Sequence, residues 1–160
     1  MAHPSRPFIG VFLLLVDNGK ILLLRRHDDH LKDYFMPVAG HVDEGETLTG
    51  ALIREAKEEA NINIAQEDLK LCCIIHHPVA PYKGSSADII NFFFVCEKYK
   101  GTVRNNEPDK ADMMDFYPLN NLTIPLSIHT KKAIDTYVNN LEPPLNDTYT
   151  TLLQTIITGG

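Results

Sequence analysis

The sequence predicts an α/β domain whose sheet is covered on both sides. Three features lead there. The strands expected over residues 8 to 16 and 20 to 26 carry their apolar residues in continuous runs, Phe8 to Val16 and Ile21 to Leu24, rather than in alternation, the pattern of strands buried on both sides. Residues 48 to 60 form a helix with a clear stop signal at each end. Between residues 125 and 141, Ile128, Ala133, Ile134, Tyr137, Val138 and Leu141 fall close to helical spacing, and Pro143-Pro144 ends that helix.

With 160 residues, 44% hydrophobic and 22% charged, the chain has the size and apolar content of one globular domain. The expected organisation is a single domain over 1–142 and a C-terminal tail over 143–160, packed on the domain or on a partner subunit. A net charge of −6 and a pI near 5.6 argue against a nucleic-acid partner, which needs a cationic surface. A small phosphorylated ligand remains compatible, because a metal ion can supply positive charge locally. Cys72, Cys73 and Cys96 lack metal-ligand spacing and read as small hydrophobes of a reducing, cytoplasmic compartment. As strand neighbours, Cys72 and Cys73 are expected to point to opposite faces.

Residues 1–7, with two prolines, make a loose start. The run Phe8 to Val16 resembles a signal-peptide core, but Asp17-Asn18-Gly19-Lys20 leads at once into Ile21 to Leu24, so a β-hairpin is the better reading. No apolar run is long enough to span a membrane. Arg25-Arg26 closes the hairpin, and His27 to Tyr34 is a polar loop. After the helix, Leu69 to Pro78 reads as a strand, Ala80 to Ser86 as a turn and Ile89 to Cys96 as the strongest strand in the chain. His76-His77 invite a zinc reading, but strand neighbours diverge and no third nitrogen ligand is near, so a substrate-pocket or packing role is preferred, with His76 the substrate-binding candidate. Three consecutive phenylalanines, Phe92-Phe93-Phe94, are more often core than a stacking platform, but they place aromatics on both faces of their strand, and Phe93 is the candidate to stack on a nucleobase. Residues 101 to 112 form a loop, and Met113 to Leu119 a further strand. The hairpin and the Thr-rich tail are compatible with a homodimer.

The helix is the chemical centre. Thr47 can cap its N-terminus and Asn61 can take the left-handed position beyond its end. At 3.6 residues per turn Leu48, Leu52 and Ala56 share one side, and Glu55 and Glu59 fall at its edge with Glu58 beside them. Carboxylates this close lose hydration and repel one another, so either their pKa values rise or a hard divalent cation lies among them. A surface helix whose acids balance Arg54 and Lys57 is the alternative for an arbitrary Glu-rich segment.

The wider pattern decides between them. Gly40, Glu46, Arg54-Glu55 and Glu58-Glu59 stand at the spacing of the Nudix box, and the segment resembles that of the MutT-like pyrophosphohydrolases, with six of seven defining positions met. The departures are Asn61 for the terminal glycine, Ala56 for a large aliphatic, and Ala39 in the entry usually written Pro-Gly-Gly. The resemblance implies an α/β/α Nudix sandwich, a mixed sheet between the catalytic helix and the C-terminal helix. It further implies Mg²⁺, or Mn²⁺, held by Glu55, Glu59 and Glu58 with the Ala39 carbonyl. Arg54 would orient the carboxylates, and Glu46 would pair with Arg54. Asn105 to Lys110 is similar to a loop of some Nudix nucleotide hydrolases, which makes Glu107 a further catalytic candidate beside Glu55 and Glu58 for the general base. Arg25, Arg26 and Gly40 would lie against the substrate. The implied reaction is hydrolysis of a diphosphate linkage in a nucleotide, first a nucleoside triphosphate, oxidised or not, giving monophosphate and pyrophosphate. The alternatives are an ADP-ribose-type nucleoside diphosphate or a nucleotide sensor that does not cleave.

Overall fold

A computed structural model describes residues 6–27, 32–82 and 85–139, with backbone alone for 78–82 and 85–86. Seven strands are ordered along the chain as β1 (Phe8–Asp17), β2 (Lys20–Arg26), β3 (Phe35–Met36), β4 (Val38–His41), β5 (Lys70–Tyr82), β6 (Ser85–Cys96) and β7 (Ala111–Pro118). Helix α1 (Leu48–Ala60) follows β4, and α2 (Ile128–Val138) follows β7. The β1–β2 hairpin turns through Asn18 and Gly19, both at positive φ (48° and 73°), as a two-residue turn requires.

The sheet is mixed. β1 pairs in parallel with β6 and antiparallel with β4, whereas β2 pairs antiparallel with β7 and β3. The strands alternate between two cores. Val11, Leu13 and Leu15 of β1, Leu22 and Leu24 of β2, and Phe94 and Cys96 of β6 pack with Ala51, Leu52, Ala56 and Ala60 of α1. Leu14, Ile21, Leu23, Phe93 and Val95 face the other way, onto Ala133 and Ile134 of α2. This is why the strands are apolar without alternation: each face meets a helix. The three alanines on the buried side of α1 let the helix lie close to the strands, and Ala56 is fully enclosed there. The fold is thus the α/β/α sandwich that the resemblance implied.

The structure corrects several details. β5 runs on to Tyr82 and pairs with β6 down to Ser85, so the segment expected as a turn over Ala80 to Ser86 is mostly ladder. Cys72 and Cys73 do not face apart. The register shifts between Leu71 and Cys73, and the bulge turns both thiols into the α2-side core. The Cys72 thiol donates to the Ala133 carbonyl at 3.6 Å. All three cysteines are free and buried. On α2, Ser127 caps the N-terminus, but Ile128 and Val138 are 67% and 49% exposed, so the core stripe is narrower than the spacing predicts. Leu141 and the expected tail over 143–160 lie outside the described residues. Among the described residues no helix is long and apolar enough to cross a membrane.

Candidate active site

Helix α1 is delimited by local chemistry. The Thr47 hydroxyl accepts the Gly50 N–H at 3.0 Å. Asn61 takes φ 59° and ψ 28° just past the last turn. Asparagine tolerates this left-handed geometry, so the missing glycine costs the turn little.

Arg54 is the hub of the box. Its Nε and Nη2 donate to the two oxygens of Glu46 at 2.9 and 3.0 Å, a bidentate pair. Nη2 also reaches the His41 carbonyl at 3.1 Å, tying the helix to the end of β4. Nη1 donates to Glu55 Oε1 at 2.6 Å and to Glu58 Oε2 at 3.4 Å. Glu46 in turn accepts the Asp43 N–H at 3.1 Å and so closes the loop before the helix. The Arg54 guanidinium and then that amide hold the Glu46 carboxyl down at about 2, so it stays ionised.

Glu55 and Glu59 lie deeper. Burial pushes the Glu55 carboxyl above its ordinary value against the pull of Arg54, and Glu58 and Glu107 push the same way. Glu59 is raised to about 7, first by burial and then by Glu55 and Glu107, against its bond from the Ala39 N–H at 3.1 Å. That bond also locates the Ala39 carbonyl. In extended backbone the N–H and C=O of one residue project to the same side, so the carbonyl is turned away from β1, as the amide is. Gly40 is needed for space, because a Cβ there would collide with the Glu55 side chain.

The loop between β6 and β7 completes the site. The Arg104 and Asn106 amides donate to the Ala60 and Glu59 carbonyls at 3.0 Å each, and Asn106 Nδ2 reaches the Lys57 carbonyl at 3.4 Å. Asn105 accepts the Glu107 N–H at 3.0 Å and donates to the Ala111 carbonyl at 2.7 Å, fixing the turn that carries Glu107. Glu107 and Lys110 pair at 2.7 Å. A pocket opens here, lined by Leu24, Arg26, Glu59, Asn105, Glu107, Lys110, Ala111 and Met114.

Of the residues singled out in the sequence, Glu46, Arg54, Glu55, Glu58, Glu59, Ala39 and Gly40 gather around α1 and β4. Arg26 and Glu107 join Glu59 at the pocket. Three candidates stand elsewhere. Phe93 is fully buried in the α2-side core and stacked on Phe12 at 4.5 Å, so it is a core residue and not a base-stacking wall. Arg25 is taken up by Asp112, with Nε–Oδ1 at 2.9 Å and Nη2–Oδ2 at 2.5 Å. His76 bonds Asp88 at 2.7 Å and is not among the pocket residues, while His77 faces His129 edge-on at 5.6 Å. Lys110 and Asn105 are not among the sequence candidates, although both stand inside the Asn-x-Glu-Pro-x-Lys segment that carries Glu107.

The donor set suits a hard divalent ion: Glu55 and Glu59, pushed upward by burial and by neighbouring carboxylates, a strand carbonyl, and no thiolate or imidazole among them. Among the described residues no group of three or more His, Cys, Asp and Glu is already gathered as a metal cage.

The chain is similar to known proteins in sequence and in fold. A family model described as NUDIX domain matches residues 4–137. Dihydroneopterin triphosphate diphosphatase of Escherichia coli is 41% identical over 63 residues, which span 39% of this chain and 41% of that enzyme. The match therefore takes in less than half the length of that relative. ADP-ribose pyrophosphatase of Methanocaldococcus jannaschii is 27% identical over 132 residues, covering 82% of this chain and 73% of the enzyme. Among solved structures, a MutT NUDIX hydrolase from Burkholderia pseudomallei superposes with a TM-score of 0.74 at 25% identity, covering 82% of this chain and 98% of that one.

Proposed function

The chain belongs to the NUDIX family, and on that premise we propose that it is a metal-dependent hydrolase of diphosphate linkages in small nucleotide-like substrates. One observation carries the reading: three carboxylates, Glu55, Glu59 and Glu107, lie within electrostatic reach of one another beside a small pocket, with burial pushing two of them up. A fold with no use for a cation would gain nothing from that arrangement.

Glu55 and Glu59 would be the principal ligands of Mg²⁺ or Mn²⁺, joined by Glu58 and the Ala39 carbonyl. When bound, the ion would neutralise the diphosphate and acidify a water ligand. Arg54 holds Glu55 in place and is itself held by Glu46. Glu55, Glu58 and Glu107 are the groups able to take the proton of the attacking water, Glu107 being the one that reaches the site from outside the helix. Arg26 faces the same pocket and would meet the anionic substrate.

A triphosphate cleaved to monophosphate and pyrophosphate is the preferred substrate class. Its support is the relative named for dihydroneopterin triphosphate together with the loop that carries Glu107. An ADP-ribose-type diphosphate is the second reading, supported by the relative that matches over most of the chain. The test is a panel of nucleoside triphosphates, oxidised nucleotides, dihydroneopterin triphosphate and ADP-ribose with Mg²⁺ and Mn²⁺, following release of pyrophosphate, phosphate and monophosphate. Pyrophosphate from triphosphates is the expected result. Binding without cleavage across the panel would replace the hydrolase reading by that of a nucleotide sensor.

A further inference from the structure

We propose that Lys110 is a phosphate-binding residue of the pocket, held ready by Glu107 and exchanged from it onto a phosphate oxygen when the substrate enters. The inference rests on the hydrolase reading above and assigns a residue that the box does not contain.

The backbone of Lys110 is anchored on several sides. Its N–H donates to the Glu107 carbonyl at 3.0 Å, its own carbonyl accepts the His27 N–H at 3.3 Å, and the Ala111 N–H returns to Glu107 at 3.1 Å. His27 Nε2 also contacts the Pro108 carbonyl at 3.2 Å, so the turn is sewn to the end of β2. The main chain is therefore fixed beside the pocket, while the side chain, with its four-carbon stem, is 58% exposed and can change partner.

The ammonium is paired with Glu107 and also feels the negative charge of Glu59 and Glu55. It holds Glu107 by a single N···O contact of 2.7 Å, an i,i+3 pair open to solvent. Exposed pairs of this kind are weak and readily exchanged. Arg54 is the opposite case, locked by a bidentate carboxylate, a second acid and a backbone carbonyl. Arg54 is thus a strut, whereas Lys110 is able to move.

An incoming substrate competes with Glu107 for this ammonium. A di- or triphosphate presents several anionic oxygens and outcompetes one carboxylate for a compact point charge with three donors. Arg26 and Lys110 are the two cations among the eight pocket-lining residues described, and they come from separate segments, β2 and the β6–β7 loop. The exchange would also release Glu107 at the moment the phosphates arrive.

The experiment uses the full chain with Mg²⁺ and inorganic pyrophosphate as the probe, measured by isothermal titration calorimetry for the parent, Lys110→Met and Lys110→Arg. Expected is at least a roughly tenfold loss of pyrophosphate affinity in Lys110→Met, recovery to within about threefold in Lys110→Arg, and melting temperatures within a few degrees of the parent. Turnover of the best nucleotide should show the loss mainly in KM. Affinity within about twofold of the parent in Lys110→Met, or an equal loss in both variants, overturns the proposal. If the parent cleaves nucleotides while Lys110→Met is unaffected, only this inference falls. A parent that neither cleaves any nucleotide nor binds pyrophosphate with Mg²⁺ overturns both readings.

Discussion

Replacing Glu59 by glutamine should make the metal-free protein more stable while destroying its activity. The reason is the cost of ionising a largely buried carboxyl. Glu59 has its pKa raised from 4.5 in the unfolded chain to about 7 in the folded one. For an acid shifted upwards, folding favours the protonated form, so this group's contribution to stability is greatest below about pH 4.5 and falls as the pH rises through 7. At roughly 1.36 kcal/mol per pH unit, the loss above pH 7 is about 3 kcal/mol. A glutamine at this position would carry no such penalty and can still accept the Ala39 N–H that Glu59 Oε2 accepts at 3.1 Å. In a chain of this size about 3 kcal/mol corresponds to a rise in Tm of roughly 6 to 12 °C. The assay is thermal unfolding with EDTA at about pH 8 and pH 5: a large difference between parent and Glu59→Gln at the higher pH, shrinking towards zero at the lower. A variant that melts at or below the parent at the higher pH, or a gap independent of pH, would refute the reasoning that burial strains this carboxylate.

Three further outcomes are expected. Chelation should abolish turnover, and added Mg²⁺ should raise Tm more at about pH 8 than at about pH 6, because protons compete for Glu59; equal shifts at both values would count against metal binding at that carboxylate. Gly40→Ala should displace the Glu55 side chain and lower kcat, with a modest change in Tm; full activity would show that Glu55 can leave its place without consequence. Phe93→Ala should cost about 3 to 5 kcal/mol of stability through the cavity it leaves and spare KM, read from denaturant unfolding and initial rates; a raised KM in a stable protein would return Phe93 to the substrate site.

Features set by nearby atoms were readable from the sequence. Thr47 and Asn61 bound the helix because capping is decided within a few residues, and the pairing of Glu46 with Arg54, which the resemblance to the box implied, is made across a short segment. Parity along buried strands was harder. When both faces of a strand are apolar, composition does not say which phenylalanine looks where, and it is the register of Phe12 against Phe93 that sends Phe93 into the α2-side core. The bulge at Cys72 left no mark in the residue types, since it belongs to how β5 and β6 pair along their whole length. Arg25 and Arg26 look alike on paper. Only β7, which brings Asp112 to one of them and the pocket to the other, tells them apart. In sequence alone Lys110, three residues from a glutamate in a charged turn, reads as half of an ordinary solvated pair.

The lacing of the β6–β7 loop onto the last turn of α1 bears on how the site opens and closes. The final carbonyls of a helix lack partners within it, and here those of Glu59 and Ala60 are answered by the amides of Asn106 and Arg104, while the Asn106 side chain adds a bond to the Lys57 carbonyl. The loop and the helix end therefore belong to one cooperative unit, and the amides of Arg104 and Asn106 exchange with solvent only when that contact opens. Glu107, carried by the same loop, stays beside Glu59 for as long as the helix end stays closed.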